Sequence, residues 1–566
     1  MKFINKFLFV SFIFLFASCG DFTELDFLEN PNEVDPASAN ADDLFNNIQL
    51  QFENYIDAIW FDVAGMARMI AHTGAYNYLS ATAPTNWDFE WEVAYARILA
   101  DVQALEVIAG EQGLDIHSGA SKVLQAYIIT SLVDIFGDVP YSEALQGTEV
   151  ISPKVDNGAD VYAAANALLD AAIAQLSGTT ARSPVNDLFY GGSAAGWLKA
   201  ATTMKFRNAV TTRLAGGSAS DVTAAVNSGN LITSASDDFQ FNYGNQRTNP
   251  NSRHPDYNNM YENADGNYMS NYYMWLLADE KGMRDPRLRY YFYRKTDDSA
   301  GQDINVYSCH FSNTPDQALK PSHYDDVDPR IPYCYATEDG YFGRDHLNNE
   351  GIPPDGPLRT AYGLYPAAGQ FDDDSFSQTQ QLGTTGGLGQ GIQPLMLSSF
   401  VDFLRAEAAL EMGTGEDARA LLESGIRASM AKVRGFESLV TNTLAQVREI
   451  RGGGSATVAE LYAMTDEDID DYVAVVLDNY DNAADKLDVV MKEYYIALWG
   501  NGLEAYNMWR RTGKPSNMAP SLEPGPGSFI RTFFYPSDFV NRNAVVEQKS
   551  LEVPVFWDTN PAGFAY

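Results

Sequence analysis

The chain has little of what metal and redox chemistry requires: three cysteines (Cys19, Cys309 and Cys334) and six histidines in 566 residues. None of them falls in a C-x-x-C or H-E-x-x-H spacing, which removes the common zinc and thiol-redox centres from consideration. No G-x-S-x-G turn is present to expose a nucleophilic serine, and no G-x-x-x-x-G-K-[ST] loop to cradle phosphates. Positive charge is scarce as well, with 38 Lys and Arg against 75 Asp and Glu and a formal charge of −37. Such a surface repels phosphate backbones and anionic headgroups, so nucleic acid is not an expected partner. No cofactor or metal is expected either. Beyond the first twenty residues no apolar run reaches transmembrane length.

Apolar residues do run together at the start. Lys2 and Lys6 come first, then an apolar stretch from Phe7 to Ala17, then Ser18 and Cys19. That is the charged, hydrophobic and small-residue order of an export signal, and the stretch is too short to span a bilayer. Its end, Ala17-Ser18-Cys19, resembles a bacterial lipobox, although Phe16 stands where leucine is more usual. The resemblance implies cleavage after residue 18 and a diacylglycerol on the Cys19 sulfur. Each buried methylene then adds roughly 0.8 kcal/mol of membrane affinity. Loss of Lys2 and Lys6 with the leader takes the formal charge from −37 to −39. Residues 19–41 carry several acidic groups with Pro31 and Pro36, and read as a tether. Acidic residues directly after a lipidated cysteine resemble the signal for the outer face of the outer membrane. Cys309 and Cys334 could form one disulfide in an exported protein, but spacing alone leaves both the bonded and the free state open.

Helical periodicity governs Leu44–Ile70, Trp87–Ala109, Ala120–Phe136, Val161–Leu176, Ala194–Leu214, Ser398–Met412, Asp417–Val433 and Lys486–Trp509. In the fourth of these, Val161, Ala165, Leu168, Leu169, Ala172, Ile173 and Leu176 share one face at three- and four-residue spacing. Short glycine breaks, such as Gly413-Thr414-Gly415, separate neighbours, so the pattern predicts stacked helix pairs of tetratricopeptide-like character. Between Leu231 and Pro394 the periodicity fades and Gly, Asn, Asp, Pro and Tyr become frequent. The expected fold is mainly α. One domain over 42–566 is expected, helical over about 42–230 and 395–510 and loop-rich over about 231–394.

Long irregular regions usually carry function. Sugars present flat C–H faces edged by hydroxyls, so a glycan site needs aromatic platforms beside polar donors and acceptors. Two segments supply both. His72–Trp91 holds Tyr76, Tyr78, Asn86 and Trp87 in a break between helices. Asn258–Trp275 crowds together Tyr268, Asn271, Tyr272 and Trp275, with Tyr261, Asn267 and Tyr273. These eight residues, Tyr76, Tyr78, Asn86, Trp87, Tyr268, Asn271, Tyr272 and Trp275, are the ligand-site candidates. Trp87 and Tyr78 are the expected platforms, whereas Trp91 and Trp275 border helices and suit a core better. Arg344-Asp345-His346 reads as a structural anchor. Asp372-Asp373-Asp374 reads as a solvated acidic turn, since three consecutive side chains do not converge on a cation.

At Leu132–Leu145 the chain reads LVDIFGDVPYSEAL, and at Ile496–Lys514 IALWGNGLEAYNMWRRTGK. These, with DPRLRYYFY at Asp285–Tyr293, FLRAEAA at Phe403–Ala409 and GIRASM at Gly425–Met430, resemble signature segments of SusD/RagB-like outer-membrane lipoproteins. Leu347 departs from the glycine expected after Arg344-Asp345-His346. The roles of these segments read as structural: Gly500 and Gly502 permit close backbone approach, and Arg510 and Arg511 suit buried carboxylates such as Glu504 or Glu407. The resemblance implies a non-enzymatic, lipid-anchored surface protein. It would capture an oligosaccharide, or a peptide in some members, for a SusC-like TonB-dependent transporter. A surface glycoside hydrolase and a structural adhesin are the competing classes.

The leader leaves no other anchor than Cys19. Cys19→Ser, expressed without a transporter partner, is expected to move from the membrane to the soluble fraction. Retention of the variant in the membrane pellet would refute lipid anchoring.

Overall fold

Asn40 opens the first helix: its side chain accepts from the Asp42 amide at 3.0 Å, and Asp42 and Asp43 favour the positive end of the helix dipole. Helix α1, Ala41–Met66, buries Phe45, Ile48, Phe52, Tyr55, Ile59 and Val63 on one stripe. The structure, a computed structural model, describes residues 40–263, 267–295, 320–333, 340–341, 343–348, 359–377, 383–450 and 452–564. Cys19, most of the tether, Cys309 and Cys334 lie outside these ranges.

After a loop, a helical stretch beginning near Trp87 passes through a π-helical segment, Val93–Leu99, into α2, Ala100–Gln112. Gly113 turns the chain at φ 64°, and α3, Asp115–Phe136, follows. Helices α4 (Gly158–Leu176), α5 (Ala194–Thr211) and α6 (Ala219–Asn227) pack in succession, α3 on α4 and α4 on α5. The irregular region contributes two short helices, α7 (Pro255–Tyr261) and α8 (Asn271–Ala278). The second helical part holds α9 (Ser398–Glu411), α10 (Ala418–Arg434), α11 (Asp466–Asn482), α12 (Lys486–Ala497) and α13 (Gly502–Thr512). Here α9 packs on α10 and α12, and α13 crosses back to α1.

Strands are few among the described residues. Phe239–Asn242 pairs antiparallel with Ile392–Met396, and Phe292–Tyr293 with Ala361–Tyr362, which ties the irregular region to itself at both ends. One apolar core runs from Ala41 to Trp557 through both helical parts and the region between them. The fold is therefore mainly α, as expected.

One helix lies inside the expected helical range without having been singled out by its periodicity, and two features differ from the sequence expectation. Asp466–Asn482 is a helix, opened by a capping box in which Thr465 and Asp468 satisfy each other's backbone amides. Residues 255–261 and 271–278 are helical inside the loop-rich region; the first is too short for its buried Tyr257, Met260 and Tyr261 to establish a period, and the second is buried on every side, so no polar face marks it. Lys486–Trp509 is not one helix. It breaks between Leu498 and Asn501, where Gly500 takes φ 98°.

Charges are buried where helices cross. Arg207 on α5 donates to Glu504 on α13 at 3.0 Å and to Asp134 on α3 at 3.1 Å, all three within 3% of full burial. Asp134 also accepts from Tyr162 (2.5 Å), Asn507 (2.7 Å) and Trp557 (2.9 Å). Arg511 forks onto Glu407 of α9 at 2.8 and 2.9 Å, one of the carboxylates the sequence offered as a partner. Arg510 takes no carboxylate; it donates to the carbonyl of Arg531 and to Asn507.

Gly502 begins α13 against α1, and a Cβ there would lie 2.8 Å from the Ala64 nitrogen and Cβ. Because backbone cannot swing aside, Gly502→Ala is expected to destabilise by about 1–3 kcal/mol. Gly110, in α2 with open space around it, provides the control. Gly110→Ala is expected to stabilise by about 0.5–1 kcal/mol. Thermal or urea unfolding of the two variants checks both signs.

Candidate ligand-binding site

The two aromatic segments, some 190 residues apart in sequence, meet through backbone pairing. The Ala71 amide donates to the Tyr268 carbonyl at 2.8 Å, with a bridge between Ile70 and Met269. A third segment, 343–348, lies against both. Arg344 and Met269 pair at 2.9 Å, Asn271 donates to Arg344 at 3.0 Å, and the Leu347 amide reaches the His72 carbonyl at 2.9 Å. A fourth closes the group, with the Leu522 amide on His346 at 2.8 Å and Tyr78 donating to the Pro526 carbonyl at 2.9 Å. His323 adds a fifth point by donating to the Ser521 carbonyl at 2.8 Å. Irregular backbone can be buried this way because the segments satisfy one another's polar groups.

The sequence candidates do not all face outward from this assembly. Tyr76 does, at 53% exposure, and Asn86 is exposed as well. Tyr78 is buried beneath: its hydroxyl accepts from Arg68 at 2.8 Å, and its ring packs edge-on to Phe529 at 5.5 Å. Trp87 is fully buried, 4.5 Å from Phe533 and 5.3 Å from Phe136, and donates to Thr82 at 3.3 Å. The expected platforms Trp87 and Tyr78 thus present no open face and serve as packing. Tyr268, Asn271, Tyr272 and Trp275 are buried too. The Tyr268 ring is covered by the guanidinium groups of Arg344 at 4.9 Å and Arg359 at 4.8 Å. Asn271 accepts from the Gly343 amide at 3.0 Å, and Tyr272 lies 6.0 Å from Trp275. The second segment therefore supports the surface from below, and the first supplies its exposed ring.

Arg344, Asp345 and His346 are buried in this support, which gives them the anchoring role read from the sequence. Leu347 adopts φ 56°, the left-handed region where a glycine was expected, and its side chain is fully buried. Burial holds the His72 imidazole down at about 4, and burial together with Arg68 and His72 depresses His346 well below the usual imidazole range, so both are neutral at ordinary pH. Burial pulls the Lys295 ammonium down to about 8, aided by Arg359. The acidic triplet is not a solvated turn: Asp372 and Asp373 are buried, Asp372 is forked by Arg294, and Asp373 pairs with Arg448 at 2.5 Å. Among the described residues no group of His, Cys, Asp or Glu could hold a metal ion. No helix of these residues is long and apolar enough to cross a membrane.

Leu79, 70% exposed beside Tyr76, and the loop from Ser521 to Ser528 were missed by sequence reasoning. The loop carried a signal in its Glu-Pro-Gly-Pro-Gly-Ser run, a cluster of turn-forming residues outside the irregular region. Leu79 carried none.

A scaffold of paired helices bearing a surface of assembled loops defines a binding protein of the helix-repeat type. Residues 31–327 match a family described as starch-binding and associating with the outer membrane, and residues 384–551 match the SusD and RagB outer-membrane lipoproteins. The chain belongs to the SusD/RagB family. Among solved structures, a SusD/RagB family protein from Bacteroides thetaiotaomicron aligns over 93% of this chain and 100% of its own. Its TM-score is 0.65 and its identity 19%. A protein described as chitin-binding aligns over the same shares with TM-score 0.64 and 19% identity. A chitin-binding SusD homolog from Flavobacterium johnsoniae covers 92% of this chain and 99% of its own, with TM-score 0.59 and 18% identity. At these identities the likeness is one of fold. No curated protein is similar to the chain.

Trp87→Ala removes a fully buried ring and is expected to cost roughly 3–5 kcal/mol of stability while leaving ligand affinity of the folded fraction unchanged. Unfolding and titration on one preparation separate the two. Normal melting with weakened binding would return Trp87 to the site.

Proposed function

We propose that the chain is a cell-surface lipoprotein that captures an oligosaccharide without altering it and delivers it to a SusC-like TonB-dependent transporter. The observation that carries this reading is the assembly of four distant segments around an exposed Tyr76, on a support of buried rings and neutral histidines. An exposed tyrosine face suits the C–H face of a sugar ring. Family membership and the two chitin-binding structural neighbours favour a glycan over other ligands. The strongly acidic composition favours a neutral one, because a polyanion would approach against a formal charge of −37. Lipidation of Cys19 and outward orientation would bring this surface to the transporter's mouth.

Stacking platforms for flat rings are worth about 1–3 kcal/mol, and a hydrated sugar face belongs near the low end. Tyr76→Ala is accordingly expected to weaken oligosaccharide binding about three- to tenfold with unchanged melting. Calorimetric titration with chitin and starch oligosaccharides, followed by chromatography of the recovered sugar, checks both affinity and absence of turnover. Equal affinity of the variant would remove Tyr76 from the site, and cleaved sugar would make the protein an enzyme.

A further inference from the structure

A recess lies at the end of the loop Ser521–Ser528, lined in part by Gly527 and Ser528. It has a volume of about 490 Å³, within the range of small-ligand sites, and is walled by Phe529, Phe564, Arg510, Arg531, Glu552 and Asp558. We propose that this cavity is a separate subsite for one neutral sugar ring, an inference that rests on the glycan-binding reading.

The wall combines the two elements that sugar recognition requires. Phe564, half-buried, supplies the aromatic carbon and is pinned against the end of α13, where any Cβ on Gly513 would meet its ring at 2.6 Å, while Phe529 is buried against Trp509 and Tyr78 and backs the wall. The polar groups are rigid. Arg510 is 1% exposed and lies over the rings of Tyr506 at 3.7 Å and Trp557 at 4.9 Å. Its Nη1 and Nη2 are taken by the Arg531 carbonyl and Asn507, while its Nε has no partner. Arg531 is oriented by Asp558 at 2.8 Å and by the carbonyls of Asp558 and Asn560. Glu552 is exposed, and no ion pair involves its carboxylate among the described residues.

Charge selects the ligand class. Two guanidiniums face two carboxylates, so the cavity carries no net charge and offers both donors and acceptors. An anion would meet Glu552, and a cation would meet Arg510 and Arg531. A polyhydroxylated ring can use both signs at once, its hydroxyls donating to Glu552 and accepting from Arg531, with its C–H face against Phe564. The Tyr78 amide bond to Pro526 and the Tyr78–Phe529 contact couple this wall to the first surface, so the loop between them is common to both sites.

Saturation-transfer NMR with glucose and with N-acetylglucosamine tests the subsite on wild type, Tyr76→Ala, Ala562→Trp and Glu552→Ala. Ala562 is exposed at the cavity wall, so its tryptophan variant fills the space without entering the core. The expected result is monosaccharide binding that survives Tyr76→Ala and falls at least fivefold in both Ala562→Trp and Glu552→Ala, with melting unchanged. Binding that is indifferent to both cavity variants but lost in Tyr76→Ala would overturn the second subsite and leave the first standing. No binding of these sugars or of chitin and starch oligosaccharides by any form would overturn both.

Discussion

The contact on which the rest of this structure depends is Arg207 held between Asp134 and Glu504. These groups sit on three different helices, α5, α3 and α13, and none reaches water. A buried charge left without its partner costs about 3–5 kcal/mol, so the three helices have little freedom to cross in any other way. Arg511, one turn along α13 from the Tyr506–Asn507 pair, forks onto Glu407 and extends the constraint to α9. The first and last helical parts of the chain are thereby locked together around the irregular region that separates them in sequence.

The consequence for the ligand surface runs through α13. Its Trp509 lies 4.4 Å beneath the Arg68 guanidinium, and Arg68 donates to the Tyr78 hydroxyl, the Met66 carbonyl and the Ala519 carbonyl. Tyr78 in turn fixes the loop that exposes Tyr76 and Leu79. A chain of buried contacts thus leads from the ion network to the exposed ring, and pre-organises it. Preorganisation matters for a sugar binder, because weak stacking leaves little to offset the ordering of a mobile loop. The same support is chemically quiet: both histidines in it are held neutral, and the arginines act as struts.

Much of the helical scaffold was legible because it is amphipathic. The stripe of Val161, Ala165, Leu169, Ala172 and Leu176 is the buried face of α4, whereas residue types suggested buried carboxylate partners for Arg510 and Arg511 without fixing which. Helix α8 was not legible, since a segment buried all round carries no periodic signal, and α7 was too short for its Tyr257, Met260 and Tyr261 stripe to stand out. For the proposed surface, the structure brings the two aromatic segments together and buries most of their rings. Tyr76 and Tyr78 are two residues apart in the same polar loop, and only the contacts with Arg68 and Phe529 decide which one is buried. Trp87 sits under Phe533, a partner more than four hundred residues away that no local pattern could bring near. Asp372 and Asp373 look solvated by composition; Arg294 and Arg448 make their burial possible.

If four distant segments form one ligand surface, a bound oligosaccharide must protect them together. Amide hydrogen exchange, followed by mass spectrometry on the full chain with and without a saturating chitin or starch oligosaccharide, reads this directly. The account predicts slowed exchange in peptides covering 70–79, 268–271, 343–348 and 521–528 at the same ligand concentration, with the α4–α6 pairs unchanged. Protection confined to the α4–α6 helices, with these four segments unaffected, would contradict it.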